Sequence, residues 1–301
     1  MTGRRGTAVA TALLLAALAA AGCGLGPGAD VGDVRLTVTR EFGAVPVLDR
    51  SLAAKESDTV MRLLEGEADV ETRYGGGYVH SIDGVAEEQR DGDPYDWFFY
   101  VDGVESPIGA AEVELDGDER IWWDYRDWSA TNHVPAVVGS WPAPFAGADQ
   151  PVAVECEGGG ASCDEVRESL AAEGVTVASG EPEKAIRVLV GTWDRLRADP
   201  TARLIENGPA ESGVFAGFSG EGRLELVGLD EGGEPAQSFP PDTGLLAATS
   251  RYGGLPVWVV SGATPAAVRE AAEALDAEHL RDHYAVAIED GKSTPLPLEG
   301  R

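Results

Sequence analysis

The chain has 301 residues, enough for two domains, and its 43% apolar and 25% charged residues suit a soluble globular protein. Its 52 acidic residues outnumber 23 basic ones, a formal net charge of −29. A surface of that sign repels nucleic acid phosphates and anionic lipid heads, so nucleic acid is excluded as an expected partner.

The first element is a targeting segment. Arg4 and Arg5 precede an apolar run over residues 8–21, and small residues lead to Gly22 and Cys23. The run is short for a membrane span, which needs about 20 residues. "AAGC" resembles a bacterial lipobox, with Ala20 where leucine is usual. Residues 1–22 are therefore expected to be a signal peptide, Cys23 the lipidated residue and 23–32 a flexible tether. This places the protein on the extracellular face of the cell membrane, held by its lipid anchor.

Residues 33–128 form the first expected domain. "VRLTVTREF" alternates Val34, Leu36 and Val38 against polar neighbours, as a half-buried strand does. Residues 45–48 supply a partner strand. In "ESDTVMRLLEG", Ser57 or Asp58 can cap a helix, Val60, Leu63 and Leu64 make its apolar stripe, and Gly66 stops it. "VETRYGGGYVHSIDGV" returns to strand chemistry, with Asp83-Gly84 as a tight turn. In "DWFFYVDGVES", Trp97, Phe99 and Val101 share one face, Phe98 and Tyr100 the other, and Asp102-Gly103 is a hairpin turn. In "LDGDERIWWDY", Ile121, Trp123 and Tyr125 oppose Trp122 and Asp124. Two strands, one helix and several further strands describe a small sheet curled over a helix, the β-grasp layout.

Three segments, "GGGYVHSIDGV", "DWFFYVDGVES" and "LDGDERIWWDY", resemble the transcobalamin-like C-terminal domain family found in bacterial surface proteins. The resemblance rests on Ser81, Ile82, Gly84, Trp97, Tyr100, Val101, Gly103, Gly117, Asp118, Ile121, Trp123 and Tyr125, with Asp102 where asparagine is common. It implies a β-grasp fold and a corrinoid as ligand. In transcobalamin and intrinsic factor the domain closes over cobalamin opposite a helical barrel, and nothing in these 301 residues reads as such a barrel.

The helix is expected to bury Trp97, Phe99, Trp123 and Tyr125. Phe98, Tyr100, Trp122 and Trp128 then lie on the other face. Three roles are open to them: binding a ligand, packing against the second domain, or meeting solvent. They are the candidate ligand-binding residues.

Residues 129–150 carry Pro135, Pro142 and Pro144 and read as a linker lying on a surface, with Trp141 as a staple between domains. Residues 151–289 alternate strands and helices. "PVAVEC", "VTVASG", "AIRVLVGTW" and "YAVAIED" read as strands, "LPVWVVSG" as a strand buried on both faces, and "GVFAGFSG" with "GRLELVGLD" as a hairpin. Residues 164–173 have helical spacing. "ATPAAVREAAEALDAEHL" is the clearest helix, capped by Thr264 with Pro265 in its first turn. This is an α/β layered domain with a mixed sheet, and residues 290–301 are a tail. The fold class is thus α+β: a β-grasp domain followed by an α/β layer domain.

Cys156 and Cys163 flank a short glycine-rich loop and are expected to form a disulfide, the usual fate of a cysteine pair in an exported chain. Their spacing matches no standard zinc pattern. His279 and His283 stand four apart near a helix end, where the helix dipole favours histidine without a metal. The serine of "GVFAGFSGEG" lacks nucleophile-elbow spacing, and no phosphate loop or dinucleotide fingerprint is present. Neither a catalytic set nor a cofactor is expected. The expected function is a lipid-anchored, non-catalytic surface protein that binds a small molecule, cobalamin first among the candidates. The alternative is an interaction module that docks on an envelope or transporter protein.

Overall fold

The computed structural model describes residues 28–300 apart from 159, 181, 183 and 221. The expected signal peptide, Cys23 and the first part of the tether lie outside the described residues.

The first domain opens with β1 (Asp30–Arg40) and β2 (Val45–Lys55), which pair antiparallel. The first strand thus begins within the stretch expected to be tether, and the second runs well past residue 48. Helix α1 (Val60–Glu67) buries Val60, Met61, Leu63 and Leu64. Thr59, rather than Ser57 or Asp58, caps it by accepting from the Arg62 amide at 3.3 Å. Asp58 is engaged elsewhere: its carboxylate accepts from the Lys55 amide at 2.9 Å. The helix runs through Gly66, and Ala68 ends it with an extended backbone.

A small antiparallel sheet follows, made of β3 (Val70–Arg73), β4 (Tyr78–Ile82) and β5 (Val85–Ala86). The chain then forms β6 (Glu88–Arg90), β7 (Asp93–Val101), β8 (Val104–Glu105) and β9 (Arg120–Asp127). The main sheet has the order β2-β1-β9-β7-β6, with β8 paired to β7. Its first and last strands, β1 and β9, run parallel side by side at the centre, flanked by antiparallel partners. One helix under such a sheet is the β-grasp arrangement. Asp102 (φ 51°) and Gly103 (φ 74°) make the β7–β8 turn, whose left-handed backbone suits Asp-Gly.

The underside is filled by Val34, Leu36, Val38, Trp97, Ile121, Trp123 and Tyr125 against α1, with Phe99 stacked on Trp123 at 4.7 Å. Burying each large side chain contributes roughly 1.5–3 kcal/mol before the entropy of ordering it. The Trp97 indole donates to the Val85 carbonyl at 2.8 Å, and the Tyr125 hydroxyl to the Ala86 carbonyl at 2.8 Å. Those bonds tie the main sheet to the small one.

The second domain is a mixed sheet whose strands lie in the order 152–157, 186–192, 257–262, 244–249, 285–289 and 292–296. Its parallel part is β10 (Val152–Glu157), β11 (Ile186–Thr192) and β16 (Val257–Gly262). Its antiparallel part is β15 (Gly244–Thr249), β17 (Ala285–Glu289) and β18 (Lys292–Leu296). On one face lie α2 (Ala161–Ala172) and α5 (Pro265–Glu273), the latter capped by Thr264 at 3.1 Å from the Ala267 amide. On the other lie the short helix α3 (Trp193–Leu196), a 3-10 segment (Ala202–Asn207), the turn α4 (Pro209–Ser212), and a sheet of β12 (Ala216–Ser219), β13 (Glu225–Leu229) and β14 (Pro235–Ser238). Helix α6 (Ala277–Leu280) precedes β17.

Three segments differ from the sequence reading. Residues 175–180 make only an isolated bridge, Val152 to Val177. Residues 292–296, expected in the tail, pair with β17 as an edge strand. The stretch 129–150 is not a spacer: Val134, Val137, Val138, Trp141 and Phe145 are buried. Trp141 and Phe145 pack on Trp258 of β16, with ring centroids 5.9 and 4.9 Å away. The Val137 amide donates to the Gly103 carbonyl at 2.9 Å and the Val138 amide to the Tyr284 carbonyl at 3.2 Å. This strap is part of the second domain's core and of the apolar cluster between the domains.

Candidate functional site

Alternation along β7 and β9 sends Phe98, Tyr100, Trp122, Asp124 and Arg126 to the sheet face away from α1. The second domain meets that face. Phe42, Tyr100, Trp122 and Tyr284 pack with Phe215, Leu229, Val134 and Val137 in one apolar cluster. Ring centroids are 5.7 Å apart for Tyr100–Trp122, 5.3 Å for Trp122–Tyr284 and 5.1 Å for Phe42–Phe215.

A buried carboxylate organises the polar atoms of this seam. Asp124 accepts from Thr39 Oγ1 at 2.5 Å, from the amides of Phe42 and Gly43 at 3.0 and 3.1 Å, and from the Tyr284 hydroxyl at 3.0 Å. It thereby joins the β1–β2 turn, β9 and the second domain. Burial pushes its carboxyl up to about 6, against the pull of those donors. The Trp122 indole donates to Thr39 Oγ1 at 2.8 Å, and the Tyr100 hydroxyl to the Tyr284 hydroxyl at 3.2 Å. Burial raises both phenols above their usual range, Tyr284 with help from the Asp124 charge.

Arg126 is enclosed beside them. Its Nη1 donates to the carbonyls of Asp127 and Thr131 at 3.0 and 2.9 Å, and its guanidinium lies 3.8 Å over the Phe98 ring. Nε and Nη2 have no partner among the described residues. Such a face-on contact offsets part of the desolvation of a buried cation.

The four expected ligand-binding residues therefore separate. Tyr100 and Trp122 are enclosed at 0% and 2% exposure, so in this arrangement neither offers a surface to a ligand. The reason is physical: the second domain and the strap bury the same apolar area that a ligand would have buried. Phe98 is half-buried beneath Arg126. Trp128 alone remains open, at 37% exposure. Cys156 and Cys163 are joined across the β10–α2 loop, with Cα atoms 6.1 Å apart. His279 is held by Asp276 at 2.9 Å, and His283 sits at the seam beside Gly139. Among the described residues no group of three or more His, Cys, Asp or Glu stands where it could hold a metal ion.

Trp128 lines an open groove of about 320 Å³ on the outer edge of the β-grasp domain, with Tyr95, Pro94, Asp96, Glu87 and Glu88. Asp96 accepts a short hydrogen bond from the Tyr78 hydroxyl and the Trp97 amide at 2.7 Å, while burial raises its carboxyl. Arg90 lies 4.5 Å over the Tyr95 ring, so this wall already holds one cation by its π face. The sequence reading did not single out Tyr95, Asp96, Glu87 or Glu88. Only their strand pairing brings them to Trp128: Glu88 lies opposite Tyr95 across β6–β7, and the Trp128 amide donates to the Pro94 carbonyl at 3.0 Å.

A family model described as Domain of unknown function (DUF4430) matches residues 57–127, from the loop before α1 to the end of β9. That segment holds all three of the motifs on which the transcobalamin-like resemblance rests. Among solved structures, the crystal structure of a candidate metal-binding protein from Ruminococcus gnavus is similar over 32% of this chain and 97% of that one, at 14% identity and a TM-score of 0.25. A likeness that slight carries no argument about fold or ligand. No curated protein matches the chain.

Proposed function

We propose that this chain is a lipid-anchored, non-catalytic protein of the extracellular membrane face that binds a small molecule at the outer edge of its β-grasp domain. One observation carries the reading: of the four aromatic side chains expected to bind a ligand, the one left open lines a groove furnished with carboxylates. An indole and a phenol beside Glu87, Glu88 and Asp96 suit a ligand that joins a positive charge to an apolar body. The resemblance to transcobalamin-like domains makes cobalamin the first ligand to test. A groove of about 320 Å³ would take one edge of a corrinoid rather than enclose it.

Cobalamin titrated into the mature chain should change tryptophan fluorescence, and Trp128→Ala should remove the change. No response in the parent protein would end the corrinoid version. An unaltered response in Trp128→Ala would move binding away from the groove. The anchor is tested separately: Cys23→Ala should shift the protein from the membrane fraction to the medium.

A second reading, docking on an envelope or transporter protein, is favoured by two loop tips. Tyr74 and Tyr252 are 87% and 101% exposed. Removing both rings should then abolish co-purification of a membrane protein and leave the fold intact.

A further inference from the structure

Three guanidiniums converge at the junction of the two domains in a chain where acids outnumber bases more than two to one. Arg35 comes from β1, Arg120 from the start of β9, and Arg281 from the segment between α6 and β17. Together with Ser140 of the strap and Asp282 they line a cavity of about 20 Å³. One water needs roughly 10–15 Å³, so there is room for a single small occupant.

The charges do not balance. Arg35 is paired with Asp49 at 2.5 Å. Among the described residues, the side chains of Arg120 and Arg281 make no hydrogen bond or salt bridge, and Asp282 forms no salt bridge with any of the three. Arg120 is held below its usual range, first by burial and then by repulsion from Arg35, against the pull of Asp102, with Arg281 adding to the repulsion. The walls cannot draw apart easily. A Cβ on Gly139 would stand 2.6 Å from the His283 amide nitrogen and 2.8 Å from the Trp122 ring. The strap therefore presses against both domains at the cavity's edge, and the like charges stay close.

We infer that this cavity binds a small inorganic anion of about chloride size, which screens Arg35, Arg120 and Arg281 and ties the two domains to the strap. The site is separate from the Trp128 groove and stands or falls without it.

The test is thermal unfolding of the mature chain with chloride replacing gluconate at a constant ionic strength of about 0.15 M, so that general screening is equal. Chloride should raise Tm by about 3 °C, the size of effect expected for an occupied weak site in a protein of this length. Arg281→Gln should lose that difference; Arg281 is exposed, so the variant should fold. Crystals grown in bromide should show an anomalous peak between the three arginines. Equal Tm in the two salts, a full chloride response in Arg281→Gln, or an empty cavity in bromide crystals would each overturn the inference.

Discussion

Two aromatic surfaces of the β-grasp domain have met different fates. Tyr100 and Trp122 lie near the sheet centre, where Phe215 and Tyr284 of the second domain cover them. Trp128 lies just beyond the end of β9, outside the apolar cluster that the second domain covers, and lines an open groove. Local alternation sets which way a ring points. What covers it is set by another domain more than 80 residues away along the chain. The contrast is that between aromatic residues used to join two modules and one left open to solvent.

The contrast breaks most sharply on truncation. Trp122→Ala should remove the ring that touches Tyr100 and Tyr284 and cost about 3–5 kcal/mol, as large aromatic deletions in cores do. Urea unfolding followed by near-ultraviolet circular dichroism would measure it. A loss below about 1 kcal/mol would mean that the seam is loose and that the domains part readily.

Much of this seam was legible in the sequence. The period of two along residues 96–101 and 120–126 separates Trp97, Trp123 and Tyr125 from Phe98, Tyr100 and Trp122, as the structure does. Asp102-Gly103 marks its turn because few other residues accept two left-handed positions in succession. Sequence alone does not choose the helix cap, because Ser57, Asp58 and Thr59 are all good caps; in the fold Asp58 is taken by the Lys55 amide and Thr59 caps. The strap reads as a linker because its prolines signal a loop, while its buried valines and Trp141 find their partners far away along the chain, at β16, Tyr284 and the β7–β8 turn. The Trp128 groove was half legible: the indole stood out, and its carboxylates did not, in a chain where acids are everywhere. Strand β15 carries no alternation, since both its faces are buried.

Proton binding sharpens the comparison next. Burial raises Asp124 to about 6 and Asp102 to about 6, and burial with repulsion from Asp127 and Glu41 raises Glu231 to about 7. For a carboxyl raised on folding, the folded state keeps a proton that the unfolded chain has already released. Its stabilising contribution is full below the ordinary carboxylate range and is lost as pH rises through the raised value. His133, raised by Glu105, and His279, raised by Asp276 against the pull of burial, act in the same direction; His283, lowered by burial, acts against them. Stability should therefore fall from about pH 4 to about pH 7.5, with Asp124 alone accounting for about 3 kcal/mol over that whole span. Asp124→Asn should flatten the fall near pH 6 while lowering stability throughout, since the amide nitrogen cannot accept and so gives up either Thr39 and the Gly43 amide or the Phe42 amide and the Tyr284 hydroxyl. A Tm that rises across this interval in the parent protein would contradict the burial of Asp124.

The disulfide stands outside both aromatic regions and serves as a control. Cys156→Ser with Cys163→Ser opens a short loop, and the entropy of closing it predicts a loss of about 2 kcal/mol. The pH dependence should be unchanged, because neither sulfur lies near the seam. A change in the pH profile would show that the second domain transmits strain across the strap.

The smallest effect on stability belongs to Trp128, and it separates the two regions most directly. Trp128→Ala removes a ring that is 37% exposed and is absent from all four buried cores, so its cost should stay within about 0.5 kcal/mol. Its effect on binding should be large by comparison, at least tenfold, or about 1.4 kcal/mol of affinity for whichever ligand the groove accepts. Trp128→Phe should keep the fold and recover part of the affinity, because a phenyl face supplies less area and a weaker quadrupole than indole. A Trp128→Ala variant that unfolded as readily as Trp122→Ala would show that this ring, too, is spent on holding the molecule together. The groove would then be a by-product of packing rather than a place kept for a ligand.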